Sequence, residues 1–238
     1  MFNVHATEPF SYQDLIGSVK FEEITKGRYG TVIATLNNNT IPIVRTTTKY
    51  NNPIQPFSNI HYKLIENIKK ISVNELSFNN ALIEIYDSKY KSMGLHTDQA
   101  LDLADNSYIC LYSCYDDCKN SRTLNIVNKT TNKKSEIILE HNSIVLFSLE
   151  TNKNFLHQIV FNNNSQNNWL GITFRLSKTF INFINEIPYF YNSERILKLA
   201  NNEETKEFYK LRKNENTNID FKWPNLDYTI NKSDLINL

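Results

Sequence analysis

Glycine and proline are scarce in this chain, five and six among 238 residues. Turns must therefore rely mainly on Asn, Asp, Ser and Lys. Cysteine is scarcer still. The three present, Cys110, Cys114 and Cys118, fall within one short stretch. An odd count without a secretion signal argues against a disulfide framework. The C-x3-C-x3-C spacing has no C-x2-C knuckle and no neighbouring His, so it reads as structural rather than metal-binding. No apolar run approaches the length of a membrane span, and no basic start leads into an apolar segment. The chain is expected to be soluble and intracellular, without a membrane partner. The N-x-S/T matches at Asn38, Asn128, Asn163 and Asn231 are then products of an Asn-rich composition. Excess charge is also lacking. A formal net charge of +1 removes the simplest argument for a nucleic-acid partner.

What the chain does have is apolar and aromatic content, 40% and 12%, enough for a packed interior rather than disorder. Neither a repeat nor a linker divides it, so one domain over residues 1–238 is expected. Residues 1–80 read as a mixed α/β flank, with short strands at 31–36 and 41–46. A helix over 59–70 begins after Ser58 as N-cap. Between 81 and 177, eight β-rich runs are separated by polar turns: 81–86, 92–97, 108–113, 123–127, 135–139, 143–147, 155–161 and 168–177. The turns at 128–133 and 162–167 read as solvated loops. This spacing predicts a sandwich or barrel rather than a doubly wound sheet. Residues 178–238 read as a helical flank, with helices over 178–186, 193–200 and 203–213, the last presenting a solvated face.

Five histidines are present. His96 and Asp98 form H-x-D. In extended backbone, residues i and i+2 point to one side, so this spacing aims an imidazole and a carboxylate at a common point. His157 sits in an apolar run that a barrel can bring beside them. Two imidazoles and one carboxylate on one face leave the opposite coordination positions open, which suits an Fe(II) that must also bind a co-substrate and O2. A lone strand histidine is more often a hydrogen-bonded core residue, so the weight falls on the order of the parts. The run 169–177 alternates. Leu170, Ile172, Phe174 and Leu176 form one face; Gly171, Thr173, Arg175 and Ser177 form the other, which presents Arg175 to the interior. A buried Arg needs an anion, and no acid lies on this strand or in the loop before it. Three readings stay open: a carboxylate ligand from outside, a guanidinium reaching the rim, or pairing with a distant Glu. The stretch 45–50 either offers Arg45 or Tyr50 to a substrate at the barrel mouth or forms a solvated threonine edge. Gln99 and Asp102 are candidates to line the same mouth.

Taken together, Glu84-Ile85-Tyr86, Gly94-Leu95-His96-Thr97-Asp98, Phe155-Leu156-His157 and the run from Leu170 to Arg175 resemble the Fe(II)/2-oxoglutarate dioxygenases, most closely the AlkB-like branch. The resemblance covers about residues 81–177. It implies an α+β fold: a double-stranded β-helix (jelly-roll) core with flanking helices packed on one sheet. It also implies iron held by His96, Asp98 and His157. Arg175 would hold the far carboxylate of 2-oxoglutarate, with Tyr86 and Ser177 beside it. The implied chemistry is oxidative decarboxylation of 2-oxoglutarate with O2, coupled to hydroxylation or oxidative demethylation of a C–H bond. Three positions depart from the AlkB-like pattern. Trp169 stands where a first arginine would fall, Glu84 replaces an Asn, and His141-Asn142-Ser143 replaces a Gly-Asp turn. These departures and the charge favour a protein side chain or small molecule as substrate over nucleic acid. The alternative is a non-catalytic jelly-roll binding module that retains the fold.

Overall fold

The computed structural model describes residues 1–37, 39–72, 75–90, 94–160 and 166–237. Its centre is a main sheet of eight strands. The order runs Asn3–Ala6, Ser143–Ser148, Tyr108–Tyr115, Trp169–Arg175, Asn80–Tyr86, Arg28–Ala34 and Glu22–Thr25, with Gln55–Pro56 added beside Arg28–Ala34. Only that last pairing is parallel. A second sheet of three strands, Phe155–Val160, Arg122–Asn128 and Lys134–Leu139, faces it. The mostly antiparallel sheets with few helices are consistent with a jelly-roll. Among the described residues no helix is long and apolar enough to cross a membrane.

Alternation along the strands builds two cores from one sheet. Leu170, Ile172 and Phe174 point to one side and pack with Leu64, Ile65 and Ile68 of the Asn59–Ile71 helix. Each such fully buried side chain contributes about 1.5–3 kcal/mol. The helix starts where predicted: the Ser58 backbone N–H donates to His61 Nδ1 at 2.9 Å, satisfying a donor at the helix entry. The opposite face packs Leu111, Val145, Phe147 and Trp169 against Leu124 and Ile126 of the second sheet. Gly171 and Thr173 border a cavity between the sheets. A Cβ at Gly171 would lie 2.0 Å from the Trp169 indole, so the close approach of that ring requires glycine.

Seven of the eight predicted runs appear as strands, within a residue or two. The run at 92–97 does not. Ser92 and Met93 lie outside the described residues, and His96 makes only an isolated bridge to His157. Phe161, residues 162–165 of the predicted loop, and Asn38 and Asn163 of the N-x-S/T set also lie outside them. The helices expected at 178–186 and 193–200 are corrected. Phe180–Ile184 and Ile187–Phe190 form a hairpin, and Lys198–Leu199 pairs with Tyr228–Thr229. Asn185 and Glu186, both with positive φ, make the two-residue turn that antiparallel strands favour. The third helix is real and spans Asn202–Thr217.

Candidate active site

His157 stands in a regular strand, opposite Ile126 of its neighbour. His96 stands in a loop, and a reciprocal pair of backbone hydrogen bonds joins the two: His96 N to His157 O at 3.0 Å and His157 N to His96 O at 2.7 Å. The ring centroids are 4.7 Å apart. The backbone of Asp98 is gripped by one side chain. Its N–H donates to Asn152 Oδ1 and its carbonyl accepts from Asn152 Nδ2, both at 2.8 Å. One ligand atom from each of His96, Asp98 and His157 lies within 4.8 Å of the others.

The protonation states suit a cation. His96 Nδ1 lies 2.7 Å from the Gly94 carbonyl, which can only accept. That nitrogen therefore carries the proton, and Nε2 offers its lone pair. Dense surrounding protein, with neighbouring His157 second, lowers the His96 imidazole to a pKa of about 3. Burial alone would raise the Asp98 carboxyl. The Arg175 guanidinium and the two imidazoles outweigh burial and hold it well below the usual carboxylate range. His157 Nε2 is 3.5 Å from Asp98 Oδ1, while His157 Nδ1 is buried with no hydrogen-bond partner among the described residues. Two imidazoles and one ionised carboxylate at this spacing fit an Fe(II).

The triad opens into a cavity of ≈ 410 Å³ that Tyr86, Arg175 and Arg28 also line. Arg175 is buried and does have an internal anion: Nε and Nη2 lie 3.2 and 3.1 Å from Asp98 Oδ2. Of the three open readings, pairing with a distant acid describes the protein alone, the acid being Asp98 rather than a Glu. The acid comes from 77 residues earlier in the chain. Tyr86 donates to Glu84 Oε2 at 2.8 Å, and Glu84 Oε1 accepts from Arg28 Nε and from the Tyr50 hydroxyl, both at 2.9 Å. Burial, and then the Glu84 charge, push both phenols well above their ordinary pKa, so they remain donors.

The profile of the 2OG-Fe(II) oxygenase superfamily matches residues 25–180, well over half of the chain. The chain belongs to this superfamily. Fe(II) and 2-oxoglutarate are accordingly the cofactor and co-substrate of the oxygenase, with O2 as the second co-substrate. Among solved structures, OsALKBH1 is similar with a TM-score of 0.44 and 16% sequence identity, over 69% of this chain and 87% of that one. No curated protein matches the sequence.

The oxygenase brings His96, Asp98, His157, Arg175 and Tyr86 to one cavity, while Ser177 does not line it. The Ser177 hydroxyl lies 2.6 Å from the Ile43 carbonyl and accepts from Thr179 N at 3.1 Å. Gln99 reaches the cavity, and its Oε1 accepts from Thr47 N at 2.7 Å. Neither reading of 45–50 holds. Arg45 is 4% exposed and Tyr50 1%, so this is no solvated edge. Arg45 is paired instead with buried Asp102, Nη2 to Oδ1 at 2.7 Å, and donates through Nη1 to the carbonyls of Leu226 and Tyr228. Asp102 therefore braces the fold instead of lining the mouth. The helix read as a solvated face buries Phe208, Arg212 and Glu215, and its Tyr209, Arg212 and Asn216 border the cavity. The spacing 208, 212, 215 is one helix face, and two charged residues beside a phenylalanine on that face were the missed signal.

Proposed function

We propose that this oxygenase uses His96, Asp98 and His157 to hold Fe(II) and hydroxylates, or oxidatively demethylates, a C–H bond of a protein side chain or small molecule. One observation carries the reading: two histidines and an aspartate, 61 residues apart at the extremes, offer ligand atoms within 4.8 Å of one another at the wall of a cavity. The bound iron with 2-oxoglutarate would supply the oxidising power, as in the rest of the superfamily. The side chains supply what that chemistry requires around it. His96, tied to Gly94, keeps a fixed tautomer. Asp98, tied by Asn152, keeps a fixed backbone position. Arg175 neutralises Asp98 in the protein alone and is the cation that would meet a carboxylate of 2-oxoglutarate. Tyr86 would border the same co-substrate from the Glu84 side. Ser177, bonded to Ile43 and Thr179 away from the cavity, holds no co-substrate in this reading. We read residues 1–238 as one dioxygenase domain on a double-stranded β-helix core.

Two features favour the non-nucleic-acid substrates. The net charge is only +1. Each described arginine at the cavity also has a carboxylate partner: Arg28 with Glu84, Arg175 with Asp98 and Arg212 with Glu215. A phosphate backbone would find no basic groove there without breaking these pairs. Anaerobic addition of Fe(II) and then 2-oxoglutarate tests the reading. A visible charge-transfer band and oxygen-dependent succinate formation are expected from the native chain, and neither from His157→Ala. Equal behaviour of the two proteins would refute the assignment and favour a binding module that keeps the fold.

A further inference from the structure

The loop that carries His96 and Asp98 meets the sheets only at isolated bridges, His96 with His157 and Leu103 with Ser177. Its polar groups are satisfied by side chains, and the residue between the two ligands is held most fully. Thr97 donates its backbone N–H to Asn216 Oδ1 at 3.0 Å, and its hydroxyl lies 3.2 Å from the same oxygen. Arg212 donates through Nη1 to the Thr97 hydroxyl at 3.0 Å and through Nη2 to the Thr97 carbonyl. The neighbouring Glu215 accepts from Ala100 N at 2.8 Å, and its other oxygen pairs with Arg212 Nη1 at 2.7 Å. Trp223 Nε1 and Lys129 Nζ hold this turn in place, donating to Glu215 Oε1 and to its carbonyl at 2.7 and 2.8 Å. All three gripping residues lie in the last two turns of the Asn202–Thr217 helix, beyond the 25–180 stretch matched by the superfamily.

We infer that Asn216 and Arg212 are positioning residues for the metal centre. By fixing the peptide groups on both sides of Thr97, they set the directions in which His96 and Asp98 present their ligand atoms. The inference rests on the proposed metal site. Thr97 is 1% exposed and has each of its three polar groups engaged from this helix, so rotation about it is blocked. With the grip released, each peptide group flanking Thr97 keeps only one anchor, His96 O from His157 N and Asp98 N to Asn152 Oδ1, and can pivot about it. A one-peptide rotation there would move an imidazole or a carboxylate off the common point, because each lies one residue away. The gripping atom of Asn216 is an acceptor for both Thr97 donors, so a carboxylate at that position preserves the function and an alanine does not.

The test uses the full chain and Co(II) alone as probe, without 2-oxoglutarate or oxygen. The native protein is expected to bind Co(II) with a visible d–d spectrum, and His157→Ala is expected to lose it. Asn216→Ala should weaken Co(II) binding about 10-fold or more and alter the band shape, the usual scale for a group that orients a ligand. Asn216→Asp should return the affinity to within about threefold of the native value, by the same scale. Thermal melting of the metal-free proteins is followed in parallel. Native affinity and spectrum in folded Asn216→Ala, with only its melting temperature lowered, would reduce the helix to a structural prop and overturn the inference. Should that variant not fold, Arg212→Lys keeps a charge beside Glu215 but loses the fork that reaches both Thr97 oxygens, and unchanged Co(II) binding there overturns it equally. If native and His157→Ala proteins bind Co(II) alike, the metal-site reading itself falls.

Discussion

The two halves of the proposed metal site are built by opposite means. His157 and Arg175 project from strands whose backbone groups pair with neighbouring strands. Their positions follow from register, and a substitution nearby costs packing but leaves the frame in place. His96 and Asp98 project from residues 96–103, whose ends make backbone bonds to His157 and Lys178 but whose middle is held by side chains from elsewhere. Asn216 and Arg212 take Thr97, Asn152 takes Asp98, and Glu215 takes Ala100, while Gln99 and Asp102 reach out to backbone N–H groups of Thr47 and Arg45. A loop held this way depends on individual side chains in a manner that a strand does not.

That difference gives an ordered set of outcomes. The largest is expected at Arg45→Met, which leaves Asp102 buried and unpaired. Removing one partner of such a pair costs about 3–5 kcal/mol, measurable by urea unfolding. A loss under about 1 kcal/mol, on that scale, would mean the loop is not braced from this side. Asn152→Ala strips the partners from both backbone groups of Asp98. A loss of about 2–3 kcal/mol is expected, accompanied by weaker Co(II) binding. Ile126→Val, directly opposite His157, is the strand-side control. Removing one buried methyl should cost about 1 kcal/mol and leave Co(II) affinity unchanged. Equal loss of affinity in these last two variants would erase the contrast between the halves.

The last expected outcome concerns pH dependence. Asp234 lies in the C-terminal strap, near Asp102 and Arg45, and burial foremost raises its carboxyl from 3.8 to about 7. The Thr229 hydroxyl, donating at 2.6 Å, and Arg45 only partly oppose that shift. Between these two values the folded state binds more protons than the unfolded one, so the contribution of this group to stability falls as pH rises from about 4 to about 7. Asp234→Asn should flatten the stability profile in that window, and an unaltered slope in urea unfolding at pH 5 and pH 7 would contradict it.

Much of the strand-borne half was legible. Alternation placed Arg175 on the cavity side of its strand, and the H-x-D, His and Arg picked out by their order do meet at one cavity. The loop-borne half was legible only in its ligands. No local pattern reveals that Asn152 or Asn216 reaches back to the loop, because their partners lie 54 and 119 residues away. The same blindness hid Asp98 as the anion facing Arg175, and Asp102 as the anion under Arg45. The misread hairpin has a different cause. Phe180, Ile181, Phe183, Ile184 and Ile187 satisfy helical and strand periods alike. Their β-branched and aromatic character, with Pro188 following, was the better guide.

The dependence of Thr97 on Asn216 also has a consequence in time. Residues 96–98 leave the ribosome more than a hundred positions before the side chain that secures them. Until the Asn202–Thr217 helix has been synthesised and docked, the nascent chain lacks the Asn216 and Arg212 bonds to Thr97, the residue between two of its three prospective ligands. If the proposed ligands hold the iron, its loading is coupled to completion of the polypeptide, and a stalled chain ending before residue 202 should retain the ion less well than the full chain.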